Sequence, residues 1–190
     1  MAVGDRLPID EIHRYSLEEY HQLIESGGLD EDARVELLDG WMVDMSPKTP
    51  RHERAVRALV RWLRLIDSDL YEVGFGSPLT LAASEPEPDV AVFERGAPAP
   101  YHPASAVLVI EVAVSSLSRD LAVKSTLYAS AGVSEYWVVD LDGRRVLVHR
   151  RPAGDRYAER FELGPGRQLV PEALDLPPLV IDELLRAADG

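Results

Sequence analysis

Between Val107 and Val114 the chain reads Val-Leu-Val-Ile-Glu-Val-Ala-Val, a β-branched and apolar run broken by a single carboxylate, Glu111. The run is far too short to cross a bilayer, and it lacks the alternating polar positions of a strand with one wet face. It therefore predicts a central strand covered on both sides. A sheet covered on both sides needs helices above and below it, which is the layered mixed α/β class.

The chain supplies such helices. Over Arg51–Ile66, at about 100° per residue, Val56, Leu59, Val60, Leu63 and Ile66 share one arc, while Arg51, Arg54, Arg57, Arg61 and Arg64 share the other. A second helix is expected over about Ser118–Ala131, opened by a serine cap and closed by Gly132. Ser16-Leu-Glu-Glu19 is a capping box for a shorter helix ending near Ser26. Hairpins are expected at Arg34–Met45 around Asp39-Gly40, and at Glu135–Arg150 around Asp142-Gly143. Strands over Leu70–Leu81 and Asp89–Phe93 and a last helix over Ile181–Ala188 complete the reading. Together these predict one domain over residues 1–190, with a core of about 51–140 and an added hairpin at each end.

Composition narrows the chemistry. With no cysteine, disulfides and thiolate metal sites are excluded, leaving histidines and carboxylates as side-chain ligands. Met1–Asp10 lack a basic stretch followed by an apolar one, which gives a cytoplasmic expectation. A net charge of −13 argues against a coat protein for nucleic acid, whose affinity comes from neutralised phosphates. An enzyme that concentrates its positive charge on one face is still compatible with it.

Glu111 is the most informative residue. A carboxylate in a buried strand costs several kcal/mol unless it is paired, hydrogen-bonded or bound to a cation. Asp89, which follows Pro88 and opens the apolar Val90–Phe93, is placed to meet Glu111 at one end of the sheet. Two such acids suit Mg²⁺ or Mn²⁺, which prefer hard oxygen ligands and keep several waters. Lys124 shares an inward helical face with Leu121, Tyr128 and Ala131, so its ammonium can point at the acids and stabilise the charge of a phosphodiester transition state. His52 lies on the apolar arc of the first long helix. Each residue also has an ordinary reading: a surface salt bridge for Glu111, a turn for Asp89, a snorkelling stem for Lys124, a core histidine for His52. Glu36 and Glu53 read equally as surface carboxylates, and the arginine arc reads either as a solvated face or as a phosphate-tracking one.

Several blocks together resemble the Uma-two family, restriction-endonuclease-like domains of the PD-(D/E)XK nuclease superfamily. They are Arg34-Val-Glu-Leu-Leu-Asp-Gly-Trp41, Met45-Ser-Pro47 with His52, Pro88-Asp89-Val-Ala-Val92, Val109-Ile-Glu-Val112, Asp120 with Lys124 and Tyr128, and Ala131-Gly-Val-Ser-Glu-Tyr-Trp-Val-Val-Asp140. The resemblance implies a four-stranded mixed sheet flanked by helices, with Asp89 as the motif aspartate and Glu111 as the acid of the (D/E)xK element. Ala113 stands where the superfamily pattern puts lysine, and the resemblance implies that Lys124, on the next helix, takes that role. Val114 stands where many relatives carry an acid.

The function so implied is Mg²⁺- or Mn²⁺-dependent hydrolysis of DNA. Asp89, Glu111 and the Val112 carbonyl would hold the metal, Lys124 would orient the water, and His52 and Glu36 would support the site. Arg51, Arg54, Arg57, Arg61 and Arg64 are the expected DNA contacts. A homodimer is expected because duplex cleavage needs two cuts. The competing reading is a noncatalytic interaction module, favoured by the net acidity, Ala113 and Val114. A carboxylate-pair glycosidase would leave Lys124 without a task and would want sugar-stacking aromatics that are not clustered here.

Overall fold

The computed structural model describes residues 12–30, 32–96 and 101–190. Met1–Asp10, read above for a targeting segment, lie outside the described residues. The elements in order are α1 (Leu17–Glu25), β1 (Val35–Leu38), β2 (Trp41–Asp44), α2 (Pro50–Leu63), β3 (Tyr71–Gly74), β4 (Val90–Glu94) and β5 (Leu108–Ala113). A helical segment follows in three parts: α3 (Leu117–Arg119), a π-helical turn (Asp120–Lys124) and α4 (Ser125–Ser130). Then come β6 (Glu135–Asp140), β7 (Arg145–Ala153), β8 (Arg156–Leu163), β9 (Gln168–Leu169), β10 (Leu179–Val180) and α5 (Ile181–Asp189).

Six strands, β3-β4-β5-β6-β7-β8, form the main sheet in that order. Only β5 and β6 run parallel, joined by the crossover through α3 and α4; the other pairs are antiparallel. The expected four-stranded core is thus enlarged, and the C-terminal hairpin is part of the sheet rather than an addition to it. β7 extends β6 across the Asp142-Gly143 turn. β8 escaped the sequence reading because its alternation of Tyr157, Phe161 and Leu163 with Arg156, Arg160 and Glu162 is diluted by charge, as suits an edge strand with one wet face. The N-terminal hairpin β1–β2 is separate, as expected.

The strand expected over Leu70–Leu81 stops at Gly74, because the chain turns at Gly76 with φ of 53°, a left-handed conformation that costs glycine little.

Every residue of β5 is buried, as its apolar run requires. Leu108, Ile110 and Val112 pack with Leu59 and Leu63 of α2 and Leu184 and Leu185 of α5. Val109 and Ala113 face the other way, into a cluster with Tyr128, Tyr136 and Val138. Full burial of side chains such as Leu59 and Ile110 contributes about 1.5–3 kcal/mol each. By strand alternation Glu111 projects toward the α4 side, into the layer that carries Lys124. Among the described residues no helix is long and apolar enough to cross a membrane.

Candidate active site

The sheet register brings the two acids together. Val90 pairs with Ile110 in the antiparallel β4–β5 ladder, so Asp89, one residue earlier, falls beside Glu111. The Val112 N–H donates to Asp89 Oδ2 at 2.8 Å, and the Gly76 N–H donates to the Asp89 carbonyl at 3.3 Å. His52, in the first turn of α2, donates from Nε2 to the same Asp89 oxygen at 2.9 Å. Because a carboxylate accepts, this bond puts a proton on Nε2; His52 Nδ1 is buried with no partner among the described residues.

Lys124 arrives from the helix that covers the same sheet face. The Ser125 N–H reaches back five residues to the Asp120 carbonyl, the bond of a π turn. A spacing of four overshoots one α-helical turn by about 40°, and the wider turn offsets that drift. Asp120, Lys124 and Tyr128 consequently all face inward and are buried. Lys124 Nζ lies 2.8 Å from Glu111 Oε1 and 2.9 Å from Glu36 Oε2, and the Tyr128 hydroxyl donates to Glu111 Oε1 at 3.0 Å. Ala113 is two residues beyond Glu111 on the same sheet face, so the helix delivers an ammonium to the side where the superfamily pattern would place one.

Glu36, Asp89, Glu111, Lys124, His52 and Val112 all line one cleft of about 50 Å³. Burial pushes the Glu111 carboxyl up, reinforced by the charges of Asp89 and Asp120, while the Lys124 ammonium opposes the shift and favours the carboxylate. Burial also raises Asp120, against the pull of Lys124 and the 2.6 Å bond from Ser116 Oγ. Burial alone would favour the neutral amine of Lys124, but the charges of Glu111, Glu36 and Asp120 prevail and hold it protonated.

A sequence model described as "Putative restriction endonuclease", that of Uma2, matches residues 17–178. The chain belongs to the Uma2 family. A crystal structure from Anabaena variabilis, described as "a putative nuclease belonging to DUF820", superposes with a TM-score of 0.75 at 18% identity, covering 92% of this chain and 99% of that one. That likeness shows a shared mixed α/β fold. Among curated proteins none matches the sequence.

In this Uma2 chain the donor set suits a hard divalent cation. Among the described residues no three His, Asp or Glu side chains form a ready metal cage. Mg²⁺ does not need one, since one or two carboxylates plus waters suffice. The protein hydrogen bonds to Asp89 and Glu111 fall on Oδ2 and Oε1, leaving Asp89 Oδ1 and Glu111 Oε2 without a donor among the described residues.

Asp120, Arg119 and Glu87, which line the Uma2 cleft, and Tyr128, which donates to Glu111 behind it, were absent from the predicted site. Asp120 had a legible signal, lying four residues before Lys124 on the inward helical face, and Tyr128 had the same spacing beyond it. Arg119 donates to the Asp44 carbonyl at 2.7 Å and to Ser46 Oγ at 3.3 Å, a tie across 75 residues that no local pattern reveals. Glu87 lines the cleft two residues before Asp89. Glu36 is a buried partner of Lys124, not a surface carboxylate, and its Oε2 also accepts the Glu87 N–H at 3.3 Å. Glu53 does lie at the surface, 3.4 Å from Arg57.

The arginine arc is divided. Arg51 binds Asp142 at 2.7 Å and Asp189 at 3.1 Å, and Arg54 donates to the Ala188 carbonyl at 2.9 Å. Those two fasten α2 to the end of α5, leaving Arg57, Arg61 and Arg64 exposed. The buried stripe of α2 is His52, Ala55, Leu59 and Leu63, shifted from the expected arc; Val56, Val60 and Ile66 are only half-buried.

Proposed function

We propose that this Uma2 chain is a Mg²⁺- or Mn²⁺-dependent endonuclease that hydrolyses DNA phosphodiester bonds. The observation that carries the reading is the convergence of Asp89, Glu111 and Lys124, from two strands and a helix, on one cleft. Asp89 Oδ1 and Glu111 Oε2 are the oxygens that would hold the cation, with the Val112 carbonyl as a further ligand. When bound, the cation supplies Lewis-acid polarisation of the phosphate and lowers the pKa of its water.

The chain's own residues do the rest. His52 and the Val112 N–H fix the Asp89 carboxylate through Oδ2, so its other oxygen is presented without reorganisation. Lys124, held protonated, cannot serve as a base; it donates to Glu111 and is ion-paired with Glu36, and an N–H not used by Glu111 can orient the attacking water or meet charge growing on the phosphate. Glu36 acts through Lys124 by fixing its direction.

Incubating the purified protein with supercoiled, linear and single-stranded DNA plus Mg²⁺ or Mn²⁺ tests this. Nicking or cutting that disappears in Asp89→Ala is expected; activity equal to that of the variant overturns the proposal.

One observation favours a second reading: Lys124 and Arg119 together offset the charges of Glu36 and Glu111 from within the chain, as a noncatalytic module would need. Calorimetric Mn²⁺ titration separates the two. An endonuclease binds Mn²⁺ and loses it in Glu111→Gln, whereas a noncatalytic module shows no binding that depends on Glu111.

A further inference from the structure

The floor of the cleft is acidic, and a cation held by Asp89 and Glu111 serves the phosphate being cut, so the neighbouring phosphates of the strand need positive charge at the mouth. Four basic residues line the cleft: Arg34, Lys48, Arg119 and Lys124. Three are committed. Lys124 is clamped between Glu111 and Glu36, Arg119 ties the β1–β2 hairpin through Glu36, Asp44 and Ser46, and Arg34 donates to the Ser46 carbonyl at 2.9 Å, shaping the loop before α2.

Lys48 differs from all of these. It is exposed, on the loop between β2 and α2, and makes no hydrogen bond among the described residues. The nearest carboxylate oxygen, Glu87 Oε1, is 4.0 Å from its Nζ, an ion pair too long to be a hydrogen bond. The pair closes over Gly76, where an added Cβ would lie 2.9 Å from Glu87 Oε1 and 3.6 Å from Lys48 Nζ. The N-terminal end of α2, capped by Thr49, adds its positive dipole beside Lys48.

We propose that Lys48 is the residue of this chain that receives a backbone phosphate of the nucleic-acid strand next to the bond being cut, with Glu87 as the partner that this phosphate displaces. The inference rests on the nuclease reading above and adds to it the point at which the substrate strand enters. Lys48 is a binding residue, not one that touches the reacting atoms. Its ammonium recognises phosphate as a point charge, without base information, so its contribution is sequence-independent and sensitive to salt.

The test uses the full chain and a fluorescently labelled DNA oligonucleotide. Anisotropy is read in Ca²⁺ across a salt series, and cleavage is read separately in Mg²⁺. For Lys48→Ala the expected result is binding weaker by about tenfold at low salt, a salt slope reduced by about one, and KM raised more than kcat is lowered. Lys48→Arg keeps most of the affinity. Glu87→Gln moves the other way and binds more tightly, an outcome that a merely structural role for the pair would not produce.

If wild type cleaves DNA while Lys48→Ala binds with unchanged affinity and salt slope, the assignment of Lys48 is overturned and the nuclease reading stands. If wild type neither binds nor cuts DNA, the nuclease reading fails and the assignment fails with it.

Discussion

Lys124 Nζ lies 2.8 Å from Glu111 Oε1, an ion pair between a helix and the central strand in which both groups are almost wholly shut away from water. A buried pair of this kind is a weak source of net stability, yet losing one partner is costly because it strands the other charge. The pair therefore has a mechanical consequence as well as a chemical one: helix and strand are held at a fixed spacing at the floor of the cleft.

Removing the ammonium should cost more than removing the pair. Lys124→Met strands Glu36 and Glu111 and is expected to destabilise the fold by about 3–5 kcal/mol, whereas Lys124→Met combined with Glu111→Gln recovers a coupling energy of about 0.5–3 kcal/mol. Urea unfolding of the single and double variants measures this. Additive losses would contradict the pair's role.

His52 should act on the reaction through Asp89. His52→Ala removes the Nε2 donor and is expected to lower activity by about 10–100-fold, with His52→Gln recovering part of it through an amide N–H in a similar place. Steady-state cleavage rates, with Mn²⁺ affinity in parallel, check the prediction. Equal loss in both variants with unchanged Mn²⁺ affinity would point to packing instead.

Away from the cleft, His149 sets a pH dependence of stability. Its Nδ1–H donates to the Tyr136 carbonyl at 3.3 Å, and burial, aided by the charge of Arg160, lowers its pKa to about 4. A histidine lowered in the folded state contributes stability that is present above its ordinary value of about 6.5 and is lost as pH falls through about 4. Melting temperature should therefore fall more steeply between those values in wild type than in His149→Gln. Parallel curves would contradict it.

The legibility of the sequence follows the range of the interactions. β5 was readable because eight consecutive residues meet one demand, burial on both faces, and the same demand singled out Glu111. Lys124 was readable because helical periodicity is local. His52 was readable as inward-facing, but its partner depended on where α2 crosses the sheet. Glu36 was undervalued because β1 alone does not reveal which helix lies over it, and Arg119 was missed because its partners sit across the hairpin. The arginine arc was over-read: periodicity placed Arg51 and Arg54 together, while Asp142, Asp189 and the end of α5, which occupy them, are known only from the fold.

The most direct measurement is a crystal of the wild-type chain soaked in Mn²⁺ and examined by anomalous diffraction. One peak is expected in the cleft, about 2.0–2.2 Å from a carboxylate oxygen of Asp89 and of Glu111, with Lys124 still beside Glu111 and no peak in Asp89→Asn. A cleft that stays empty at saturating Mn²⁺, or a peak bound elsewhere and indifferent to Asp89, would contradict a metal-dependent site in this chain.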